Sequence, residues 1–209
     1  MQGRSAGKVT GIDVSNNNGS INWEKVKKTG YKFAYIKASE GTNFKDTLFV
    51  SNVQKAKEAG IKTGAYHFAR PSGSVEDGKE EADHFITMMN KAQTDLIPAL
   101  DLEATKLNMD QTAEWVETFI SHVKKSTGKN VIIYTGLWFM DRYPGLSKKL
   151  SKYPLWVSYY KESAPPDNGW DNWTIWQYTS KGDVPGISGN ADLNVATSLE
   201  HLLVKKKEA

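Results

Sequence analysis

Short runs rich in β-branched and aromatic residues alternate with amphipathic segments through the first two thirds of the sequence, and no other feature restricts the fold as strongly. Residues 9–14 and 31–38 carry strand character. Between them, residues 22–28 read as a short helix closed by Gly30. Asp46 is placed to cap a second helix, on which Phe49, Val53 and Ala56 recur at helical spacing until Gly60. Residues 61–68 return to strand. Residues 74–90 form a third helix, with Val75, Ala82, Phe85, Ile86 and Met89 as its buried stripe and Glu80, Glu81 and Asp83 on its solvated face. Residues 96–100 are apolar enough for a central strand, although Pro98 cannot donate a ladder hydrogen bond. Residues 110–125 make the clearest helix, with Ala113, Val116, Phe119, Ile120 and Val123 on one side and Gly128 as terminator, and residues 131–134 a fifth strand.

After that strand the pattern changes. Residues 154–159 and 173–178 read as strands joined by Pro-, Gly- and Asn-rich loops, with a last short strand at 191–195. Strand–helix alternation points to parallel βαβ units. A full (β/α)₈ barrel typically takes about 250 residues, and this chain has 209. The expectation is therefore an irregular, flattened TIM-like (β/α) barrel of about eight strands, with reduced helices in the C-terminal third. Residues 9–200 would form the barrel, 1–8 an N-terminal extension and 201–209 a tail or linker stub. A doubly wound open sheet is the alternative. It usually brings a Gly-rich phosphate turn after the first strand, where this chain has Val14-Ser15-Asn16-Asn17-Asn18-Gly19.

Composition removes several chemistries. With no cysteine, disulfide frameworks, thiolate metal sites and cysteine nucleophiles are excluded. A net charge of +3 is too small to argue for nucleic acid, and the lysines lie scattered along helices. No run approaches the roughly 18 apolar residues of a membrane span, and residues 1–8 lack the apolar stretch of a secretory signal. His67, His84, His122 and His201 show no paired ligand spacing, so neither metal nor cofactor is expected. Phosphate-loop and serine-hydrolase motifs are also missing.

Leu100-Asp101-Leu102-Glu103, at the end of an apolar run, is the strongest chemical signal. Residues i and i+2 of a strand point the same way, about 6–7 Å apart. Asp101 and Glu103 would thus leave one face at the C-terminal end of a central strand, where barrel enzymes keep catalytic groups. Two such carboxylates push their proton affinities apart, so one stays ionised while the other holds a proton. Glycosidic cleavage needs that pair: an acid for the leaving oxygen and an anion near the developing oxocarbenium centre. An Asp-x-Glu triplet alone is weak, and a solvated strand end would produce it too. Asp13 and Asp192 sit at the ends of the first and last strands, which are neighbours in a closed barrel; local turn chemistry is the competing account of each.

Amphipathic side chains recur at the same strand ends: Tyr35 and Lys37 with Glu40, Tyr66 with His67 and Arg70, Tyr134, Trp156, and Gln177 between Trp176 and Tyr178. Flat aromatics combined with donors and acceptors suit sugar rings, which have apolar faces and polar rims. Packing of the barrel interior accounts for part of this set, and Trp23, Trp115, Trp138 and Phe119 are assigned to packing.

Gly11-Ile12-Asp13-Val14-Ser15, Tyr35-Ile36-Lys37-Ala38-Ser39-Glu40-Gly41, Gly64-Ala65-Tyr66-His67-Phe68, Leu100-Asp101-Leu102-Glu103, Tyr134-Thr135, Leu155-Trp156-Val157, Trp176-Gln177-Tyr178 and Asp192-Leu193-Asn194 occur in this order. Together they resemble the family 25 glycoside hydrolases, N-acetylmuramidases of the lysozyme class that include phage endolysins. The resemblance implies cleavage of the β-1,4 bond between N-acetylmuramic acid and N-acetylglucosamine in bacterial peptidoglycan. By match to the motif it makes Glu103 the general acid, Asp101 its partner, and Asp13 and Asp192 the rest of an acidic floor. Tyr66, Tyr134, Trp156 and Gln177 fall where the family lines its groove. It also implies action on the cell wall, outside the cell or after release by a phage holin, by a monomer. A non-catalytic wall-glycan binder and a chitinase-like glycosidase are the alternatives.

Overall fold

The computed structural model describes residues 1–204. Its strands are β1 (Val9–Val14), β2 (Phe33–Glu40), β3 (Phe44–Lys45), β4 (Lys62–Phe68), β5 (Ala99–Asp101), β6 (Ile132–Gly136), β7 (Leu155–Ser158), β8 (Ile175–Asp183) and β9 (Asn190–Ala196). The helices are α1 (Trp23–Lys28), α2 (Phe49–Glu58), α3 (Asp77–Met89), α4 (Met109–Thr127), α5 (Leu137–Met140) and α6 (Leu146–Leu150). The sheet runs β1-β9-β8-β7-β6-β5-β4-β2, and β1 pairs with β2 to close an eight-stranded barrel. β3 only folds back on the end of β2.

The irregular TIM-like barrel is present, with one strand that departs from an all-parallel ring and one that is shortened. β9 is antiparallel to both β8 and β1, because the short connection from β8 leaves no room for a crossover helix. β5 begins only after Pro98, whose ring supplies no ladder donor. α2 is also capped differently from the expectation. Leu48 is its N-cap, while Asp46 accepts the backbone N–H groups of Leu48 at 2.8 Å and Asn16 at 2.7 Å. α4 opens on a capping box between Asn108 and Gln111 and ends at Gly128 in the left-handed conformation.

Apolar residues divide into two cores. The larger lies between the barrel and its helices and includes Phe85, Trp115 and Phe119. The smaller fills the barrel itself with Phe33, Tyr35, Ile97, Ile132, Trp156 and Ile175. Glycines make the inner layer possible: a Cβ on Gly11 would lie 2.5 Å from the Phe33 ring, and one on Gly64 2.4 Å from Tyr35.

The outlying segments pack onto this body. Gln2 donates to the Trp173 carbonyl at 2.9 Å, and its own carbonyl accepts the Trp173 indole N–H. Leu202 is fully buried, Leu203 bridges to Leu96, and Val204 N donates to Asp95 O. Packing therefore continues across both boundaries expected at 8/9 and 200/201. The lysine-bearing tail from 205 onward lies outside the described residues.

Candidate active site

Side chains alternate inward and outward along each strand, and the inward rows rise from an apolar base to a polar mouth. On β2 the row is Phe33, Tyr35, Lys37. A bulge between Lys37 and Ser39 then shifts the pleat. It turns Ser39 outward and brings Glu40 to the mouth beside Lys37, whose ammonium it holds at 2.6 Å. On β5 the ladder ends at Asp101, and the Leu102 N–H still donates to Tyr134 O at 2.9 Å. The chain stays extended, so Glu103 follows Asp101 on the same side.

β9 delivers Asp192 by a route a parallel strand could not use. Running antiparallel, it enters the barrel at the mouth, so an acid near its start lies level with one near the end of β1. Asp192 and Asp13 are register partners.

Asp13, Asp101, Glu103 and Asp192 line one open cavity of about 340 Å³, together with Ser15, Asn17, Lys37, Tyr66, Phe68, Tyr134, Trp156, Tyr160 and Gln177. Nine of the ten residues anticipated for the site meet there. Tyr35 does not: it belongs to the layer below, fully buried, with its hydroxyl on the Ile97 carbonyl at 3.0 Å and its ring 4.7 Å from that of Trp156. Its role is to hold the floor rather than to touch a ligand.

A second set of polar groups orients the acids. Asp13 Oδ2 accepts from Gln177 Nε2 at 2.9 Å and from Asn194 Nδ2 at 2.7 Å. Each amide is held the right way round by a donor on its oxygen. Tyr134 and Tyr160 hydroxyls donate to Gln177 Oε1 at 2.9 and 2.6 Å, and the Trp156 indole donates to Asn194 Oδ1 at 2.8 Å. Asn194 and Tyr160 escaped the sequence reading. Asn194 lies in the quoted Asp192-Leu193-Asn194 motif, one inward step beyond Asp192. Tyr160 stands two residues beyond Ser158, past the end of β7.

Burial sets the electrostatics. It pushes Asp13 up to about 8, reinforced by Asp192 and only partly offset by the Asn194 and Gln177 amides. Asp192 rises to about 6, from burial and the nearby Glu103 charge. Asp101 lies well above the usual carboxylate range through burial, then Glu103 and Asp13. Glu103 is also raised by burial, against the Tyr134 hydroxyl and the charges of Arg70 and Lys37. Asp101 lines the trough while its Oδ1 is buried without a hydrogen-bond partner among the described residues. Such a site can keep a carboxyl protonated near neutral pH and offer a carboxylate oxygen to a ligand N–H.

Two assignments made from sequence are corrected. Glu81 is not on a solvated face: it is 2% exposed and accepts from His67 Nε2 at 2.9 Å and Arg70 N at 3.0 Å, while Ser39 Oγ meets His67 Nδ1 at 2.8 Å. The helical stripe predicted apolar side chains there, but an outward histidine on β4 needs a polar partner. This Ser–His–Glu chain is sealed between Phe85 and Phe119 and faces no cavity at its serine. Trp138 is not a packing residue either, since it is 47% exposed.

The family model described as glycosyl hydrolases family 25 matches residues 12–187. Lysozyme M1 of Streptomyces globisporus is 40% identical over 198 residues, spanning 89% of this chain and 67% of the relative. The crystal structure of the bacterial lysozyme from Streptomyces coelicolor superposes with a TM-score of 0.82 at 39% identity, covering 97% of this chain and 96% of that one. The Clostridium perfringens spore cortex lytic enzyme SleM superposes with a TM-score of 0.89 at 27% identity, covering 97% and 71%.

Proposed function

The chain belongs to glycosyl hydrolase family 25, and from that premise we propose that the four-acid trough is where this peptidoglycan muramidase cuts the glycan, with Glu103 as general acid. The observation that carries this reading is the convergence of Asp13, Asp101, Glu103 and Asp192 on one sugar-sized cavity. A non-catalytic glycan binder has no need to bury four mutually repelling carboxyls, which costs stability.

Burial raises the proton affinity of Glu103 above that of an ordinary carboxylate, which favours the protonated form an acid needs. Glu103 transfers its proton to the glycosidic oxygen as the bond from C1 of N-acetylmuramic acid breaks, and the N-acetylglucosamine hydroxyl leaves. The N-acetyl carbonyl oxygen of the same muramic acid closes onto C1 with an electron pair, forming an oxazolinium. Asp101, which lines the cavity beside Glu103, accepts the acetamido N–H and stabilises the positive charge. Glu103, now ionised, takes a proton from water as that water's oxygen attacks C1, which reopens the ring and restores the acid. Asp192 supplies negative potential beneath C1, and Asp13, fixed by Gln177 and Asn194, stands beside it as a protonated carboxyl near neutral pH. Tyr66, Tyr134 and Trp156 wall the sugar in, and Lys37, half-buried beside Glu40, limits the net charge of the trough.

The same reading makes the working unit a monomer, since one chain supplies every residue of the cavity. The enzyme meets its substrate at the cell wall, reached by export or by holin-mediated release; among the described residues no helix is long and apolar enough to cross a membrane. Mass spectrometry of digested peptidoglycan tests the assignment. New reducing ends on muramic acid support it, reducing ends on glucosamine overturn the bond specificity, and release of no saccharide overturns catalysis. A glycosyl ester trapped on any of the four acids would overturn the oxazolinium route.

A further inference from the structure

We propose that Trp138 forms a further sugar-binding subsite, a platform for a saccharide unit of the glycan chain lying beyond the units held over the four acids. The inference rests on the muramidase reading of the trough.

The inward row of β6 is Ile132, Tyr134 and then Gly136, which has no side chain. A Cβ added to Gly136 would lie 2.3 Å from the Trp138 Nε1 and 2.6 Å from its Cδ1. The direction in which that Cβ would point is the direction in which Tyr134 points, because residues i and i+2 of a strand share a face. The indole therefore occupies the empty place in the inward row, one step above Tyr134, whose hydroxyl reaches Gln177 inside the trough. Gly136 is paired in register with Ser158 on β7, and two residues beyond the end of each strand comes an exposed aromatic: Trp138 in α5 at 47% and Tyr160 at 50%. Tyr160 already lines the cavity. Adjacent strands lie about 4.8 Å apart, so the segments that follow Gly136 and Ser158 leave β6 and β7 side by side at the mouth.

The substrate is a polymer, and a cavity of about 340 Å³ takes only a short piece of it. The remainder of the strand must run over the rim. An exposed indole is costly to leave in water, and its flat apolar surface matches the axial C–H face of a pyranose. The exposed Arg142 guanidinium stands 5.3 Å from the indole centroid and offers donors to ring hydroxyls. Phe139 meets the indole edge-on at 6.0 Å and is itself buried, which fixes the ring plane.

The experiment compares glycan strands of two and of four disaccharide units, freed of stem peptides, as substrates for wild type, Trp138→Phe, Trp138→Leu and Trp138→Ala. The readout is the preference for the longer strand, taken as the ratio of its kcat/KM to that of the shorter. Loss of a stacking platform is expected to lower this ratio about tenfold in the Leu and Ala variants, mainly through KM, while Phe keeps most of it. A ratio equal to wild type in the Leu variant overturns the subsite. If Ala proves unstable by thermal melting, the Phe–Leu contrast alone carries the comparison, because both keep bulk at the position and only one keeps a flat face. Failure of wild type to cleave either strand would instead refute the muramidase reading.

Discussion

Asp13 and Asp192 are register partners across the antiparallel β1–β9 pair, one near the beginning of the chain and the other near its end. Directly opposed side chains on one sheet face lie about 4.5–5.5 Å apart, and like charges so placed repel. The barrel closes with this repulsion built in: burial and then Asp192 raise Asp13 to about 8, while burial and the Glu103 charge raise Asp192 to about 6.

Removing the acid of Glu103 should stop turnover without disturbing the fold. Glu103→Gln keeps the shape of the side chain and loses the transferable proton, so kcat should fall by about 10²–10⁴ with little change in melting temperature. More than about a tenth of wild-type turnover would contradict the acid assignment.

Asp13 trades stability for chemistry, and its pH dependence has a defined sign. Between pH 4 and 8 the unfolded chain carries an ionised Asp13 while the folded state keeps the proton, so the folded state binds more protons. Stability therefore falls as pH rises through this window. Asp13→Asn keeps an oxygen for both amide donors, which fall on the same atom. The variant should be inactive yet more stable than wild type at pH 8 by about 1–2 kcal/mol, or roughly 2–8 °C, with the gain vanishing near pH 4. Melting curves across this range check it, and a variant destabilised at pH 8 would refute it.

Asp192 and Glu103 repel each other, so the charge of one raises the proton affinity of the other. Activity requires protonated Glu103 and is lost as pH rises through its raised pKa. Asp192→Asn removes a negative neighbour and should move this alkaline limb of kcat/KM to lower pH, by up to about one unit, whatever it does to the maximum rate. A limb that stays in place or moves upward would show that the two carboxyls do not share a field.

Glu81 supports the fold from behind the site. Glu81→Leu strands the Arg70 backbone N–H and the His67 Nε2–H in a buried setting, and a loss of about 2–4 kcal/mol is expected in chemical denaturation. A midpoint equal to wild type would mean that water or another acceptor replaces the carboxylate.

How much of this was legible in advance depends on the range of the interactions involved. Strand–helix alternation announced the barrel, because each amphipathic stripe must be buried against a sheet face. The Asp101–Glu103 spacing placed both carboxyls on one side, as strand periodicity requires. Glu81 was misplaced because helical periodicity sees only its own helix, whereas its partner His67 comes from β4. Trp138 was misplaced for a related reason: its indole lies over Gly136, whose missing Cβ leaves it room, and the rest of the ring is exposed, which no local pattern indicates. Tyr35 was assigned to the right row of the right strand but to the wrong height, and height depends on which residues close the base.

Residue order alone determined the class of fold, the helix ends at Gly30, Gly60 and Gly128, and the residue types capable of acid chemistry, because propensity, periodicity and capping act over a few neighbouring residues. Tertiary structure decided the reversed direction of β9, the bulge that sets Lys37 beside Glu40, and the chain of donors from Trp156 through Asn194 to Asp13. Those features depend on ring closure, which brings distant segments within hydrogen-bonding reach and out of water together, and proton affinities respond to that shared burial rather than to sequence neighbours.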